Sequence, residues 1–428
     1  MNYLIKNGRI LTESSSGGFS VIDADVLIKD GIIEKIGSDI EEDGCETVDA
    51  SCKLVMPGLI NSHTHAYMSL LRSYADDVPF NEWLFDRIMP VEDSMEREDA
   101  YWSSLLGIAE MIKTGTTCFV DMHMFRSQSA KAASDVGMRA FIGRGLVGED
   151  LYIDGSSRFV DAITEKQEYE SDLIKFVLAP HALYSCSDHL LAQVNEEARK
   201  LGMRKQIHLC ESDFEVENAR ERFGKTPVEL LSDVGFLDEN TLLSHCVKLT
   251  DRDIEILAKS KASVVTNPAS NAKLGNGSAR VVDMQRAGIN VCLGTDSVAS
   301  NNTLNMFREM GLVTLLHKAK SCDPTTLSST EVLRMATTNS AKALGMQGKA
   351  GTLKAGAFAD LIFVDLKSTS LFPNNNIVSS LCYSANGSEV SSVMINGKFV
   401  MKDRELTTID LEKVYFEVER IVKKYLKK

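Results

Sequence analysis

The chain has 428 residues, of which 44% are hydrophobic and 25% are charged, which is the composition of an ordinary globular protein. A chain of this length fits either two domains or one large barrel with an appended domain. The net charge of −13 argues against a nucleic acid as the main partner and indicates little more than solubility; the small-molecule substrate that we expect is predicted by the motifs.

Targeting and redox signals are absent from the sequence. No window approaches the roughly 18 uninterrupted apolar residues of a membrane span, and the first residues lack the apolar run of a secretory signal. The nine cysteines are scattered and form no Cys-x-x-Cys pair, so neither a disulfide framework nor a structural zinc knuckle is expected. A cytoplasmic protein that does not bind a membrane is therefore predicted.

Both ends of the chain have β patterns. Residues 26–36 alternate around Asp30-Gly31, and residues 390–401 form a second hairpin pattern around Asn396-Gly397. Because chain termini often lie close together, we expect residues 1–56 and 350–405 to form one composite β-sandwich domain. Residues 406–428 predict a C-terminal helix.

The central residues, 57–349, alternate between short apolar runs and longer amphipathic stretches. Residues 188–201, 215–234 and 251–259 are typical of the amphipathic stretches and are predicted to be helical. The pattern predicts an α/β fold with a (β/α)8 TIM-type barrel. A doubly wound sheet is the alternative, but the Gly-rich loop that usually follows its first strand is missing. The eight apolar runs are 58–63, 116–121, 139–143, 174–180, 204–209, 241–246, 262–267 and 290–295.

Functional groups collect at the carboxyl ends of the strands in such a barrel. His189 and His317 fall in helical stretches instead and are interpreted as structural. Five of the eight strand ends carry groups suited to metal binding or proton transfer, and a sixth is followed closely by a histidine. These residues are His63 and His65, Asp121 with His123, His181, His208, His245 and Asp296.

The predicted metal ligands are His63, His65, His208 and Asp296. Three neutral imidazoles and one carboxylate suit a single divalent ion and leave one position for water. Such an ion lowers the pKa of its bound water to near neutrality.

Two further residues fit proton transfer beside this metal. Glu211 follows His208 by three residues and could protonate a ring nitrogen and then a leaving amine. His245 could orient the attacking oxygen and stabilise negative charge on it. Asp296 is the natural base for the attacking water.

The ordered motifs of the chain resemble the amidohydrolase superfamily, in particular its 5-methylthioadenosine/S-adenosylhomocysteine deaminase branch and the related chlorohydrolases. The resemblance covers almost the whole chain, and the composite β domain also matches it. The motifs are Pro57-Gly-Leu-Ile-Asn-Ser-His-Thr-His65, Ala179-Pro-His-Ala-Leu-Tyr-Ser-Cys-Ser187, Ile207-His-Leu-Cys-Glu211, Ser244-His-Cys246, Asn267-Pro-Ala-Ser-Asn-Ala-Lys-Leu-Gly275 and Leu293-Gly-Thr-Asp-Ser-Val-Ala-Ser-Asn-Asn302.

The resemblance implies one metal rather than two. Members with two metals carry a carboxylated lysine at the end of strand four, where this chain has Ala179-Pro180-His181. Zinc is the expected ion and iron is the alternative, since the ligand set suits both. The resemblance is also compatible with a homo-oligomer.

The resemblance further implies a substrate pocket. Trp83 would stack on a heteroaromatic ring, Glu92 would accept hydrogen bonds from ribose hydroxyls, and His181 would meet a purine nitrogen. Arg144 and Arg158 match positions that hold the amino-acid carboxylate of S-adenosylhomocysteine.

Two departures from the family pattern lie near the predicted site. Thr266 stands before Asn267-Pro268 where histidine is common, and Ser297-Val298 replaces a common Gly-Ala. They bear on the identity of the substrate rather than on the reaction class.

The predicted function is hydrolytic deamination of an aminated purine such as methylthioadenosine, S-adenosylhomocysteine or adenosine. The alternative within enzymes is hydrolysis of another N-heterocycle: 8-oxoguanine, guanine, a pterin or an s-triazine. A non-enzymatic binding protein on the same fold is a third hypothesis. The presence of all four ligands and both proton-transfer residues argues against it.

Overall fold

The computed structural model describes residues 2–14, 17–125 and 128–426, which form two β-sheets and their surrounding helices. Strands from both ends of the chain build the first sheet, and strands from its middle build the second. The strands before the middle segment are β1 (Tyr3–Glu13), β2 (Phe19–Lys29), β3 (Ile32–Gly37), β4 (Glu46–Asp49) and β5 (Lys53–Pro57).

The middle of the chain forms the predicted barrel of parallel strands. The strands pair in sequence order, and all residues of β6, β7 and β11 are buried, as expected for barrel strands covered on both faces. The barrel strands are β6 (Leu59–Thr64), β7 (Thr116–His123), β8 (Arg139–Leu146), β9 (Ile174–Pro180), β10 (Arg204–Leu209), β11 (Thr241–His245), β12 (Ser263–Thr266) and β13 (Asn290–Leu293).

The barrel closes where the chain after β13 meets β6. The backbone N–H groups of Thr295 and Asp296 donate to the carbonyl oxygen of His63 over 3.2 and 2.9 Å. Gly294 permits this approach, because a Cβ at that position would lie 2.9 Å from the backbone nitrogen of His63. The closure brings Asp296 beside the histidines at the end of β6.

Helices pack around the barrel. On α5, for example, Leu190, Leu191, Val194 and Ala198 recur at helical spacing and are buried. The helices are α1 (Met89–Ser94), α2 (Arg97–Lys113), α3 (Gln128–Val136), α4 (Ser156–Tyr169), α5 (Asp188–Leu201), α6 (Asp213–Phe223), α7 (Pro227–Asp233), α8 (Asp251–Ser260), α9 (Pro268–Lys273), α10 (Val281–Arg286), α11 (Val298–Asn301), α12 (Met306–Ser321), α13 (Ser329–Met335), α14 (Thr338–Ala343), α15 (Ile377–Tyr383) and α16 (Leu411–Tyr425).

The helix predicted over residues 215–234 is wrong in one respect, because the structure has two helices there. Gly224 takes a left-handed conformation (φ 69°) and ends α6, and Thr226 with Glu229 forms a capping box that starts α7 at Pro227. The helices predicted over residues 188–201 and 251–259 are confirmed. None of the helices in the described ranges has the length and apolar content needed to cross a membrane.

The composite β domain is confirmed as one nine-stranded sheet. Its remaining strands are β14 (Leu361–Asp365), β15 (Val390–Ile395), β16 (Lys398–Lys402) and β17 (Glu405–Leu406), and β14 pairs antiparallel with β5. Both predicted hairpin turns are present. Asp30-Gly31 joins β2 to β3 and Asn396-Gly397 joins β15 to β16, with all four residues at positive φ.

The segment that follows β6 covers one end of the barrel. This covering segment, residues 66–94, contains a 3-10 helix (Ala66–Leu71), a π-helix (Glu82–Ile88) and α1. Short π-helices are rare and often mark functional sites.

Candidate metal centre and its pocket

The four predicted ligands meet at the carboxyl end of the barrel. Nε2 of His65 lies 3.3 Å from Nε2 of His208 and 3.4 Å from Oδ1 of Asp296. Nε2 of His63 lies 3.7 Å from the same carboxylate oxygen. Atoms bound to a tetrahedral zinc ion at about 2.1 Å lie about 3.4 Å apart, so these spacings fit one ion.

Hydrogen bonds orient two of the histidines for metal binding. Nδ1 of His65 donates to the carbonyl oxygen of Met122 over 2.7 Å, and Nδ1 of His208 donates to the carbonyl oxygen of His181 over 2.8 Å. Because a carbonyl only accepts, each Nδ1 carries the proton and each Nε2 presents a lone pair. Nε2 of the buried His63 has no hydrogen-bond partner within the described residues. Burial lowers the pKa of His63 and of His208 well below the ordinary range, which keeps both rings neutral.

Asp296 is held from both sides of its carboxylate. Ser270 and Ser300 donate their hydroxyls to Oδ2 over 2.6 and 2.9 Å, and the backbone N–H of Ser297 donates to Oδ1 over 2.7 Å. Burial alone would raise the pKa of Asp296, but His245, His65 and His63 lower it to about 2. The backbone of Asp296 is left-handed (φ 60°), a conformation that surrounding contacts must maintain.

Glu211 and His245 lie beside the same carboxylate. Ligand-type atoms of Glu211, His245 and Asp296 all lie within 4.8 Å of one another, and Oε2 of Glu211 is 3.9 Å from Nε2 of His245. Burial raises the pKa of Glu211. Burial opposes protonation of His245, but Glu211 and Asp296 outweigh it and raise its pKa. The pair is therefore suited to holding and passing a proton.

One loop contacts all three residues that are predicted to transfer protons, and no role for this loop was predicted from the sequence. The β12 loop (residues 267–277) includes α9 and provides Ser270 to Asp296. Asn271 places Oδ1 2.9 Å from Nδ1 of His245, and Asn276 donates its amide to Oε1 of Glu211 over 3.2 Å. In the sequence this loop is recognisable only as the motif Asn267–Gly275, and the sequence does not indicate which residues its polar side chains contact.

A cavity of about 290 Å³ opens above the predicted ligands. Its floor is polar and contains His65, His208, Glu211, His245 and Asp296. Its other walls are mainly apolar, with Met68, Phe80, Leu84, Phe85, Met89, Met122, Met124 and Val147.

Besides Glu211 and Asp296, which are also predicted to contact the substrate, three predicted substrate-binding residues line the cavity: Trp83, Glu92 and His181. The indole N–H of Trp83 donates to the carbonyl oxygen of Ala299 over 3.3 Å. Glu92 accepts the hydroxyl of Tyr67 at Oε1, and burial raises the pKa of Glu92. Burial lowers the pKa of His181 to about 4, so its ring is neutral at physiological pH.

The two predicted carboxylate-binding arginines are not among the residues that line the cavity. Nη2 of Arg144 lies 3.1 Å from Oδ2 of Asp161. Arg158 donates to the carbonyl oxygen of Gly145 over 3.3 Å and to Sδ of Met124, a cavity residue, over 3.6 Å. The role of both arginines stays a prediction.

Asp121 and His123, the other polar residues predicted at the strand ends, contact residues outside the predicted ligand set. Asp121 accepts the backbone N–H of Ala66 over 2.7 Å, and His123 pairs with Glu165 over 3.1 Å. Ser297, one of the departures from the family pattern, uses its hydroxyl to accept the backbone N–H of Ser300 over 3.2 Å at the start of α11. The other departure, Thr266, is buried at the end of β12.

The histidines assigned a structural role lie in helices. His317 is buried with its two ring nitrogens 2.8 and 3.0 Å from the carbonyl oxygens of Val313 and Ala279. His189 lies 3.0 Å from Oδ2 of Asp150 at the surface.

The chain is similar in sequence to deaminases of two archaea and similar in fold to a solved deaminase structure. The chain is 42% identical over 428 residues to the 5-methylthioadenosine/S-adenosylhomocysteine deaminase of Pyrococcus furiosus, covering 98% of this chain and 100% of that protein. It is 43% identical over 424 residues to the 5′-deoxyadenosine deaminase of Methanosarcina mazei, covering 97% and 96%.

A crystal structure of an adenosine deaminase from Xanthomonas campestris with bound zinc superposes with a TM-score of 0.94 at 31% identity, covering 99% of this chain and 98% of that chain. The model of the amidohydrolase family matches residues 54–400. With the barrel, the composite β domain and a divalent-metal site in place, this chain belongs to the amidohydrolase family.

Proposed function

We propose that this chain is a zinc-dependent hydrolase that deaminates the adenine ring of 5′-methylthioadenosine, S-adenosylhomocysteine or a related adenosine compound. The proposal rests on one observation: two groups of side chains that could bind a metal or transfer protons lie next to each other at the carboxyl end of the barrel. His63, His65 and His208 form a metal-binding group, and Glu211, His245 and Asp296 form an acid–base group next to it. The names of the similar proteins support the choice of substrate class.

A divalent ion held by His63, His65, His208 and Asp296 would lower the pKa of water so that hydroxide is available near neutral pH. The residues supply the proton transfers. Asp296 accepts the proton of the attacking water, and Glu211 protonates the purine nitrogen next to the carbon under attack. His245 donates a hydrogen bond to the oxygen that develops negative charge. Glu211, now a carboxylate, takes the remaining proton from the hydroxyl on the attacked carbon and delivers it to the amine, so that ammonia leaves and the ring carbonyl forms. The proton held by Asp296 then restores Glu211.

The cavity walls fit a nucleoside. Trp83 and the apolar side chains offer flat surfaces to the purine, and the neutral His181 would make one hydrogen bond to a ring nitrogen. Tyr67 occupies Oε1 of Glu92, so Oε2 is the oxygen that would accept the ribose hydroxyls. A carboxylate can accept two hydroxyls at once, which suits a vicinal diol.

The apolar walls favour a small uncharged substituent at the 5′ position. No lysine or arginine is among the described residues that line the cavity, and Nη2 of Arg144 lies 3.1 Å from Oδ2 of Asp161. An unpaired amino-acid group would lose hydration there without gaining a partner. We expect kcat/KM to be higher for 5′-methylthioadenosine and 5′-deoxyadenosine than for S-adenosylhomocysteine.

The test is an ammonia-release assay on purified protein reconstituted separately with zinc and with iron. The panel contains 5′-methylthioadenosine, 5′-deoxyadenosine, adenosine, S-adenosylhomocysteine, guanine, 8-oxoguanine, a pterin and a chlorinated triazine. Turnover of the adenosine compounds, lost in Glu211→Gln and His208→Ala, is the expected result. Turnover confined to the other heterocycles would overturn the substrate class while preserving the reaction.

A further inference from the structure

Glu309 is a fully buried carboxylate on α12 that joins the two loops around Asp296. Its side chain has no solvent exposure. Oε2 accepts the backbone N–H of Ala269 in the β12 loop over 3.0 Å. Oε1 accepts the side-chain amide of Asn301 over 2.9 Å, and Asn301 belongs to the β13 loop (residues 294–305).

Each donor to Glu309 is the chain neighbour of a serine that holds Asp296. Ala269 precedes Ser270, and Asn301 follows Ser300; both serines donate to the same oxygen, Oδ2. The amide of Asn301 also donates to the carbonyl oxygen of Thr295, the residue before Asp296, over 2.7 Å. Through Ala269 and Asn301, Glu309 is therefore connected to three residues that hold Asp296: Ser270 and Ser300, which bind its side chain, and Thr295, which precedes it in the backbone.

We propose that Glu309 is a positioning residue that fixes the position of the Asp296 carboxylate. It does so by holding the β12 and β13 loops together through its hydrogen bonds to Ala269 and Asn301, an arrangement called the clamp from here on. It does not touch the predicted metal or the cavity, and it acts through Ser270, Ser300 and Thr295. The proposal concerns Asp296 as a ligand and as a base, so its catalytic part depends on the proposed function and its metal-binding part does not.

The chemistry of the clamp explains why a carboxylate stands at this position. The two N–H donors approach different oxygens of Glu309, so in this geometry a side chain with two accepting oxygens satisfies both. A glutamine keeps one accepting oxygen but places an amide NH2, which is itself a donor, against one of the N–H groups, and an alanine removes both acceptors. Burial raises the pKa of Glu309 to about 7, while the hydrogen bonds from Ala269 and Asn301 lower it by stabilising the carboxylate.

Two variants of the full-length protein test the clamp: Glu309→Gln removes one of its two acceptors, and Glu309→Ala removes both. Zinc affinity, measured by competition with a chelator, should fall about tenfold in the first variant and up to about 100-fold in the second. With zinc saturating, kcat for 5′-methylthioadenosine should fall by about the same factors, since misplacing a reacting group by about 1 Å costs about 100-fold. KM should stay within about twofold, because Glu309 does not line the cavity.

The matched control is Glu389, another buried carboxylate that accepts two N–H groups. Its Oε2 accepts the backbone N–H groups of Asn386 and Gly387 over 3.1 and 3.0 Å, next to the composite sheet and outside the cavity. Glu389→Gln and Glu389→Ala should lower Tm but leave zinc affinity and kcat unchanged.

Wild-type zinc affinity in both folded Glu309 variants would overturn the proposal, as would equal losses in the Glu389 controls. If Glu309→Ala does not fold, the near-isosteric Glu309→Gln variant decides the question alone. Loss of zinc affinity in a protein that shows no deaminase activity even as wild type would support the clamp and reject the proposed function.

Discussion

The side-chain amide of Asn276 donates to Oε1 of Glu211 over 3.2 Å, while Oε2 of the same carboxyl faces Nε2 of His245 at 3.9 Å. The two oxygens therefore have different partners. The amide holds one oxygen, and the other is left for a proton that moves between Glu211, the substrate and His245. A buried asparagine (6% exposed) whose partner is the proposed proton donor is placed to fix the rotamer of that donor.

Replacing Asn276 with alanine should lower kcat about tenfold and change KM less than about threefold, because the carboxyl loses its orientation while the cavity wall is kept. Steady-state rates on 5′-methylthioadenosine measure both constants. Asn195→Ala is the control: this asparagine is also buried, donates to the carbonyl oxygen of Gly235 over 2.8 Å and lies on α5 away from the cavity. Equal losses of kcat in both variants would show that Asn276 has only a structural role.

Ser270 and Ser300 donate to the same oxygen of Asp296, so their effects should not be independent. Replacing one of the two serines leaves Oδ2 with one hydroxyl donor. We therefore expect Ser270→Ala or Ser300→Ala to reduce kcat about fivefold. The double variant leaves that oxygen without either hydroxyl donor and should lose about 100-fold, more than the product of the single losses. A double-mutant cycle on kcat and on zinc affinity measures the coupling, and strictly additive losses would contradict a shared role.

The convergence of the predicted metal ligands and of His245 was predictable because the signal is local and repeated. His63 and His65 are two apart on one strand and share a face, and His208, His245 and Asp296 stand at the ends of other apolar runs. The supporting residues had no such signal. Ser270, Asn271 and Asn276 lie in a short helix and its following turn, where polar residues are ordinary, and only the folded chain shows their partners.

The ion-pair partner of Arg144 was likewise not predictable from the sequence, while the predicted role of both arginines stays a prediction. Arg144 matched a family position for a carboxylate ligand, but Asp161, seventeen residues later on α4, lies within 3.1 Å of its guanidinium. Helix periodicity places Asp161 on α4 without indicating whether it reaches the strand-end arginine. The break between α6 and α7 was missed for a related reason, since the apolar pattern continues across Gly224 and Pro227.

Glu215 should make the protein less stable as the pH rises through neutrality. This carboxyl is 1% exposed, and burial raises its pKa to about 7. The facing carboxyl of Glu211 adds to the rise, while the backbone N–H groups of Glu211 and Cys210 and the ring of His245 oppose it. An unfolded glutamate has a pKa of about 4.3, so between that value and about 7 the folded chain holds a proton that the unfolded chain releases.

The contribution of Glu215 to stability is thus complete below about pH 4 and is lost as the pH rises through 7, by about 1.4 kcal/mol per pH unit. The side chain of the Glu215→Gln variant does not titrate, so this loss of stability should be missing from the variant. Urea unfolding at pH 5 and pH 8 should show the variant gaining up to about 3 kcal/mol relative to wild type at the higher pH. Glu196→Gln, at an exposed position on α5, should show no such gain. A difference between Glu215→Gln and wild type that does not change with pH would contradict this reading.

Lys273, in the β12 loop, connects the covering segment to the β13 loop. Its Nζ lies 2.5 Å from Oδ1 of Asp76 in the covering segment and 3.2 Å from the carbonyl oxygen of Ala299 in the β13 loop. Lys273→Met should loosen the cover and raise KM for 5′-methylthioadenosine about three- to tenfold, with a smaller change in kcat. The exposed Lys259→Met is the control. A selective loss of kcat would instead place Lys273 with the positioning residues of the β12 loop.

Removing the metal should abolish activity and lower stability together, since the ligand atoms converge at 3.3 to 3.7 Å only in the folded chain. An ion present at 1,000 times its dissociation constant adds about 4 kcal/mol to the free energy of unfolding. Protein stripped with a chelator should therefore show a lower Tm and no ammonia release, and zinc should restore both. His208→Ala should keep the lower Tm after zinc is added, while His189→Ala, at the surface, should respond like wild type. Full activity of stripped protein that contains less than a few per cent of metal would contradict the predicted centre.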